Sequence, residues 1–440
     1  MSRVKEALKA AKDTKALWMA PGILSQVADL FKEQFPAKHA VVIADDNTYR
    51  VAGQSVVNFL RARGVKQQPP FIFVDANLYA EYTYVDQIID HLNESNAIPI
   101  AVGSGTINDL TKLSAHLTGR PYMSVATAAS MDGYTSFGAS ITADGAKQTF
   151  SCPAPKACLA DIDIIRDAPP EMTAAGYADL FAKVVAGADW ICADMLGIEP
   201  IDPQAWEIVQ GGLLDALSDP EGIRDRRPEA ITKLMEGLML GGFAMQWTET
   251  SRPASGAEHQ FSHLWNMEHH LHNGAPVSHG FQVSIATVAI TALYEQMLKT
   301  PLEKLDISEA CRAWPSAEAS DQNAIEKFKG TDFPDIGLRE TRAKYIDKEQ
   351  LHKQLELLVQ KWPQLKEKLE RQLIPYEKAV YMLQTVGAPV EPEQIGISRA
   401  QLRDTFIRAQ LLRRRFTALD IAVRTNNMEH WLDGLFAKGK

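Results

Sequence analysis

Short apolar runs alternate with amphipathic stretches over the first third of the chain. Four runs predict buried strands, at residues 39–44, 71–74, 98–102 and 123–126. Between them, apolar residues at helical spacing predict helices over 54–63 and 80–92. Strands of this kind, alternating with helices, favour a parallel sheet that is covered on both faces. In such sheets, ligands bind beyond the carboxyl ends of the strands.

Long helical stretches dominate after Pro169 and Pro170. The pattern predicts helices over 231–243, 280–298, 348–372 with a break at Pro363, and 399–416. The longest apolar run, 283–293, is shorter than the ~18 residues that a bilayer span needs and predicts a buried helix. We therefore expect two domains, an α/β domain over residues 1–168 and an all-α domain over residues 169–440.

Composition narrows the class of protein. The 440 residues include 46 Lys and Arg against 55 Asp and Glu, so the net charge is −9 and a basic nucleic-acid surface is not expected. The four cysteines form no Cys-x-x-Cys pair, which favours a reduced, cytoplasmic protein. Residues 1–9 lack the apolar core of a secretory signal.

A glycine-containing turn follows the third predicted strand. In Gly103-Ser104-Gly105-Thr106, small residues open a helix whose first N–H groups favour an anion. Asn108 stands where the dinucleotide fingerprint has its third glycine, so both a phosphate site and a plain tight turn remain open. Asp45 and Asp46 end the first strand and could bond an adenine-ribose hydroxyl or cap a helix.

Histidines are concentrated in one short segment. Six of the eleven are His259, His263, His269, His270, His272 and His279. His259 and His263 have i,i+4 spacing, which places them on one helical face, and imidazole is a frequent ligand of divalent metals. Residues 269–272 precede Asn273-Gly274 and predict a loop at the surface or at the edge of a substrate site. Asp179 is one of many carboxylates that could complete a metal site, or it could be an ordinary acid near a helix start.

Several segments together carry a family resemblance. They read GSGTINDLTK (103–112), VATAASMDGYTS (125–136), GYADLFAK (176–183), SGAEHQFSH (255–263) and HGFQV (279–283). Their order resembles the iron-containing (group III) polyol dehydrogenases, a superfamily that includes glycerol dehydrogenase and dehydroquinate synthase. The phrases SMDG (130–133), SRPASG (251–256) and EHQFSH (258–263) are similar to the sn-glycerol-1-phosphate dehydrogenase family. The helical C-terminal extension resembles the bacterial branch of that family.

The resemblance implies a dehydroquinate synthase-like fold with a Rossmann-like nucleotide-binding domain (1–168) and a helical domain for metal and substrate (169–440). It implies that the metal ligands are Asp179, His259 and His279. It implies a cofactor site at Gly103, Gly105, Thr106, Asp109, Thr127 and Ser130, and Asp46 is assigned to the same site from its position at the end of the first strand. Asp132 would contact substrate hydroxyls and take part in catalysis, and His263 or a water molecule would relay a proton. For the substrate phosphate, Arg252 is favoured over Lys112 and Lys183, although an ordinary salt bridge remains open for Arg252.

The resemblance also implies an activity, the reduction of dihydroxyacetone phosphate to sn-glycerol 1-phosphate. The cofactors would be NAD(H) or NADP(H) and one divalent metal ion per subunit, Ni²⁺ or Zn²⁺. We expect a cytoplasmic homodimer that acts on a small molecule and has no nucleic-acid or membrane partner.

Alternative activities are a glycerol dehydrogenase, a dehydroquinate synthase-like lyase and a binding protein without catalysis. The lyase family has a lysine shortly after its fourth-strand aspartate, and residues 132–136 lack it. Two positions depart from the family pattern: Ser104 replaces a turn glycine, and Phe281 replaces a glutamate, which leaves the tuning of the metal open.

Overall fold

The computed structural model describes residues 3–75, 78–143 and 146–437. These residues form two compact units. The first comprises Met1–Leu180, Gln204–Pro253 and Thr385–Gly387, and the second comprises Phe181–Pro203, Ala254–Gln384 and Ala388–Lys440. The domain division after residue 168 stays a prediction, since these units follow other limits.

The first unit is built on a parallel sheet. Its strands are β1 (Ala16–Ala20), β2 (Ala40–Asp45), β3 (Phe71–Phe73), β4 (Ile98–Gly103), β5 (Met123–Ala126), the hairpin strands β6 (Ala139–Ala143) and β7 (Ala146–Phe150), and β8 (Ala157–Asp161). Six of them form the sheet in the order β1-β8-β5-β4-β2-β3, and all five pairings are parallel. The antiparallel pair β6–β7 forms a separate hairpin. The predicted parallel sheet is therefore confirmed.

Helices cover both faces of this sheet. Those of the first unit are α1 (Arg3–Ala10), α2 (Val27–Gln34), α3 (Asp46–Thr48), α4 (Gln54–Ala62), α5 (Tyr82–Asn93), α6 (Gly105–Leu117), α7 (Ile162–Arg166), the start of α8 (Pro170–Met195), α9 (Pro203–Gln210), α10 (Leu213–Ala216), α11 (Pro220–Arg224) and α12 (Pro228–Thr248). Val42 of β2 joins the core cluster with α2 and α4, whereas Val41 and Ile43 join the cluster with α5 and α6. Strands buried on both faces explain why β2 and β4 have continuous apolar sequences.

Two sheet strands were not predicted from the sequence. β1 (ALWMA) and β8 (ACLAD) are rich in alanine, which has a weak strand preference, and Ala16 pairs with Ala157 far along the chain. Their pairing depends on long-range packing and leaves little local signal.

The second unit is helical. Besides the end of α8, its elements are α13 (Ala257–Met267), the two-residue strands β9 (Leu271–His272) and β10 (Ala275–Pro276), α14 (His279–Lys299), α15 (Ile307–Ala313), α16 (Ala317–Phe328), α17 (Pro334–Lys344), α18 (Lys348–Gln372), α19 (Tyr376–Thr385), α20 (Arg399–Leu412), α21 (Ala418–Arg424) and α22 (Met428–Phe436). Leu264 of α13 packs with Phe328, Leu411 and Leu412 in one core cluster. None of the described helices has the length and apolar character that a bilayer crossing requires.

Two predicted helix limits were wrong. α18 continues through Pro363 without a break. Its buried face includes Leu358, Trp362 and Leu365 at helical spacing. Burial of this face outweighs the destabilisation of about 3 kcal/mol that an internal proline causes. The helix predicted over 399–416 ends at Leu412, because Arg413 has an extended backbone (φ −140°, ψ 145°).

Candidate metal and cofactor site

Three side chains on three helices bring their donor atoms together. One carboxylate oxygen of Asp179 and one ring nitrogen each of His259 and His279 lie within 4.8 Å of one another. Asp179 and His259 are buried, and the rings of His259 and His279 have centroids 5.1 Å apart. Two imidazoles and one carboxylate fit a catalytic divalent-metal site, which keeps a coordination position for substrate.

Asp179 is held in place by a loop that packs on α8. Gly176 lies so close to the loop that an added Cβ would overlap the carbonyl oxygen of Ala129. The backbone N–H of Asp132 donates to Oδ2 of Asp179 at 3.0 Å. The loop therefore orients the carboxylate through its backbone, a contribution of Asp132 that the sequence did not indicate.

Hydrogen bonds connect the same loop to α12. The hydroxyl of Thr135 donates to the carbonyl of Met239 at 2.7 Å, and the side-chain amide of Gln246 donates to the carbonyl of Thr135 at 2.9 Å. These buried bonds hold residues 132–135, and with them the N–H that reaches Asp179.

A buried aspartate anchors the start of α13, the helix that carries His259. Asp189 accepts the N–H of Ala257 at 2.7 Å, the N–H of Ala418 at 2.8 Å and the hydroxyl of Tyr294 at 2.6 Å. Burial, followed by the nearby charge of Glu258, raises the pKa of Asp189 to about 7. These hydrogen bonds fix the start of α13 and hence the position of His259.

The basic run 413–415 lies next to this helix start. Arg415 donates to the carbonyl and the hydroxyl of Ser255, at 2.7 and 2.6 Å, while Arg414 pairs with Glu340 at 2.9 Å. Arg415 thus supports the segment that precedes His259.

Each imidazole of the three-donor group has a partner at its Nδ1 atom. Glu258 lies 2.7 Å from Nδ1 of His259, and the hydroxyl of Ser262 lies 3.1 Å from Nδ1 of His279. In the sequence, Glu258 and Ser262 stood out only as members of the motif EHQFSH, with no role assigned to them. Their i,i+4 spacing, one position before His259 and His263, was the available signal.

The remaining clustered histidines do not belong to the group of three donor atoms. His269 has a φ of 52°. The loop predicted over 269–272 is only partly right, because Leu271 and His272 form β9 and pair with β10 across the turn at Asn273 and Gly274. His270 contacts the carbonyl of Ile395 at 2.6 Å. His263 lies on α13 one turn after His259 and is partly exposed.

The glycine turn joins β4 to α6. An added Cβ on Gly103 would lie 2.6 Å from Cβ of Ile107, so close packing alone already requires this glycine. The N-cap residue Ser104 makes no side-chain bond to the helix, and Gly105 and Thr106 begin its first turn. The N–H of Thr127 donates to the carbonyl of Gly103 at 3.2 Å, which places the end of β5 beside the turn. The N-terminal end of α6 fits a pyrophosphate, because the helix start presents N–H donors and a positive dipole end.

Lys112 and Asp109 serve internal contacts. The buried ammonium of Lys112 donates to the carbonyls of Gly133, Ser136 and Gly138 at 2.9–3.1 Å. Asp109 accepts the N–H of Ser140 at 3.1 Å. Lys112 is therefore engaged with backbone carbonyls, and the cofactor role of Asp109 stays a prediction.

The two aspartates after β2 differ. Asp45 accepts the N–H of Thr48 at 2.8 Å and caps α3, which is the second of the two roles considered for it. Asp46 is exposed and pairs with Arg50 at 3.0 Å.

Arg252 is buried in a short 3₁₀ turn. The binding roles of Asp46 and Arg252 remain predictions.

Comparison with known proteins decides the family. Residues 18–169 match the family model for iron-containing alcohol dehydrogenases. The glycerol-1-phosphate dehydrogenase [NAD(P)+] of Halalkalibacterium halodurans is 36% identical over 267 residues, 60% of this chain and 67% of that protein. Its counterpart from Geobacillus thermodenitrificans is 31% identical over 386 residues, which cover 87% of this chain and 86% of that protein. The chain belongs to the glycerol-1-phosphate dehydrogenase family.

A solved structure confirms the predicted fold. The crystal structure of a probable glycerol dehydrogenase from Sinorhizobium meliloti 1021 has a TM-score of 0.59 and 14% identity, and the match covers 96% of this chain and 97% of that one. At this identity the likeness shows the fold alone. In this chain the donor atoms of the two imidazoles and the carboxylate lie together, while Asp46 and Arg252 lie on other elements.

Proposed function

We propose that this chain reduces dihydroxyacetone phosphate to sn-glycerol 1-phosphate with NAD(P)H and a divalent metal ion. The observation that carries the proposal is the convergence of Asp179, His259 and His279 within 4.8 Å in a member of this family. An ion bound there would stabilise the negative charge that develops on the carbonyl oxygen during reduction. We favour Ni²⁺ or Zn²⁺, because imidazole suits both.

The cofactor would lie against the first turn of α6. The N–H groups of Gly105 and Thr106 would bind the pyrophosphate, beside Gly103 and Asp109. Thr127 and Ser130, after β5, would face the nicotinamide, which supplies the hydride. Asp46, after β2, would bond the adenine ribose, and both NAD and NADP are retained as candidates.

Three residues are proposed to handle the substrate. His263, one helical turn from His259, would pass the proton that the product oxygen needs. Asp132 would contact the hydroxyl groups, since its loop also touches Asp179. The guanidinium of Arg252 would bond the phosphate in a bidentate manner. We further propose that the enzyme works as a homodimer in the cytoplasm.

The test is a comparison of substrates. NADH oxidation would be followed with dihydroxyacetone phosphate and with dihydroxyacetone, on chelator-stripped protein and after Ni²⁺ or Zn²⁺ is added back. We expect metal-dependent turnover of the phosphate and formation of sn-glycerol 1-phosphate. Turnover of dihydroxyacetone alone would instead identify a glycerol dehydrogenase, and turnover of neither would overturn the proposed reduction.

A further inference from the structure

Both histidines of the three-donor cluster bond to a neighbouring side chain through Nδ1. A neutral imidazole has one N–H donor and one lone-pair acceptor, so the bond at Nδ1 decides which nitrogen can bind a metal ion. The direction of each bond follows from the groups that surround the partner.

Glu258 acts as an acceptor towards His259. Its side chain is fully buried, and its Oε1 atom lies 2.7 Å from Nδ1 of His259. The same oxygen accepts the backbone N–H of Gly256 at 2.7 Å. A carboxylate has no proton to donate, so this oxygen accepts from both groups, and Nδ1 of His259 carries the proton.

Ser262 acts as an acceptor towards His279 for a less direct reason. Gln282 places its Nε2 atom 3.2 Å from the carbonyl of Val277, which can only accept, so the amide oxygen of Gln282 points the other way. That oxygen accepts the hydroxyl proton of Ser262 at 2.8 Å. With its single proton committed, the Ser262 oxygen accepts from Nδ1 of His279 at 3.1 Å.

Asn266 completes the chain of bonds. Its amide nitrogen donates to the Ser262 hydroxyl at 3.3 Å, and its amide oxygen accepts from Gln282 at 3.2 Å. Both amides are thereby fixed in one orientation, and the direction agrees with that set by Val277. The carboxylate of Glu258 and the carbonyl of Val277, neither of which can donate, therefore set the tautomers of His259 and His279.

We infer that Glu258 and Ser262 are positioning residues that keep the Nδ1 proton on His259 and His279, which leaves both Nε2 lone pairs for the metal ion. The inference rests on the metal site of the proposed function. A partner at the second nitrogen fixes the ring orientation and raises the basicity of the ligand, and its loss typically costs about 10–100-fold in metal affinity.

The two partners should differ in strength. Glu258 offers a charge and a 2.7 Å contact, whereas Ser262 offers a neutral hydroxyl at 3.1 Å. Charge-assisted hydrogen bonds are about twice as strong as neutral ones. Removal of Glu258 should therefore weaken metal binding more than removal of the Ser262 hydroxyl.

The experiment measures metal affinity in the full chain. Zn²⁺ would compete between stripped protein and a chromophoric chelator, and the absorption spectrum of the Co²⁺-substituted protein would report the ligand geometry. We expect Glu258→Leu and Ser262→Ala to lower the affinity by about 10–100-fold, with the larger loss for Glu258→Leu. Glu258→Gln and Ser262→Thr keep an acceptor and should restore most of the affinity.

Ser284→Ala is the matched control. Ser284 is a buried serine on α14 whose hydroxyl bonds a backbone carbonyl, that of Pro389 at 2.7 Å. This variant should bind Zn²⁺ as the parent does. If Glu258→Leu does not fold, Ser262→Ala and Ser262→Thr decide the question alone.

The outcomes separate this inference from the proposed function. Parent-like affinity and Co²⁺ spectrum in folded Ser262→Ala and Glu258→Leu proteins would overturn the inference while leaving the ligands in place. Parent-like affinity in His259→Ala and His279→Ala would instead remove the metal site itself.

Discussion

His259 touches one carboxylate and lies close to a second. Glu258 contacts its Nδ1 atom at 2.7 Å, and a carboxylate oxygen of Asp179 is within 4.8 Å of its donor nitrogen. A buried imidazole between two acids is well suited to bind a cation, because both neighbours favour positive charge. This environment makes His259 the position where a single change is most informative.

His259→Ala is expected to reduce the turnover of dihydroxyacetone phosphate by at least about 100-fold, since the charge on the carbonyl oxygen loses its stabilisation. Activity and circular dichroism would be measured together, and the fold should be retained. His352→Ala is the control, because His352 is exposed on α18 and contacts Glu356 at 3.6 Å. Undiminished activity in His259→Ala would refute the ligand assignment.

The cysteines are expected to differ in their reactivity towards alkylating agents. Burial raises the pKa of the Cys152 and Cys158 thiols to about 12, so almost no thiolate is present at pH 8. Cys311 is only partly buried. Iodoacetamide at pH 8, with mass spectrometry, should modify Cys311 first and reach Cys152 and Cys158 only after denaturation. Equal rates for the three thiols in native protein would contradict the described burial.

At the scale of elements, α8 depends on a close approach that only glycine allows. Gly176→Ala would push the Cβ into the carbonyl of Ala129, and the backbone that carries Asp132 would have to move. We expect a loss of about 1–3 kcal/mol in the free energy of unfolding together with weaker metal binding, because the N–H of Asp132 orients Asp179. Urea denaturation and the Zn²⁺ competition would measure the two effects.

Gly434→Ala is the matched control for this change. Gly434 lies within α22, and its nearest contact to an added Cβ is the flexible side chain of Gln296 at 3.4 Å. Alanine should stabilise this helix by about 0.5–1 kcal/mol. A Gly176→Ala protein as stable and as metal-competent as the parent would show that the contact between the loop and α8 is unimportant.

Elements differ in how well the sequence predicts them. β2 and β4 are continuous apolar runs, so they could be located from the pattern, whereas alanine-rich β1 and β8 could not. The i,i+4 pair His259 and His263 correctly predicted one helical face. Pro363 led to the wrong prediction of a break in α18. The cost of a proline is local, whereas the buried face that stabilises this helix extends along its whole length.

At the scale of the whole molecule, the candidate site combines residues that are far apart in sequence. Composition could not select Asp179 among 55 acidic residues, and the family resemblance alone pointed to it. The partners at Nδ1 could not be predicted, because the bond between Ser262 and His279 exists only once α13 and α14 pack together. The pattern thus predicts the sheet and the long helices, while the orientation of the donor atoms follows from packing.

The proposed reduction depends on an ion that Asp179, His259 and His279 would hold together. The most direct measurement is a metal titration of activity, in which Ni²⁺ or Zn²⁺ is added to stripped protein and NADH oxidation is followed with dihydroxyacetone phosphate. We expect a linear rise in activity that ends at one equivalent of metal per chain, and no rise for His259→Ala. Full activity in the stripped protein, or the same titration curve in His259→Ala, would contradict the assignment of these three residues as metal ligands.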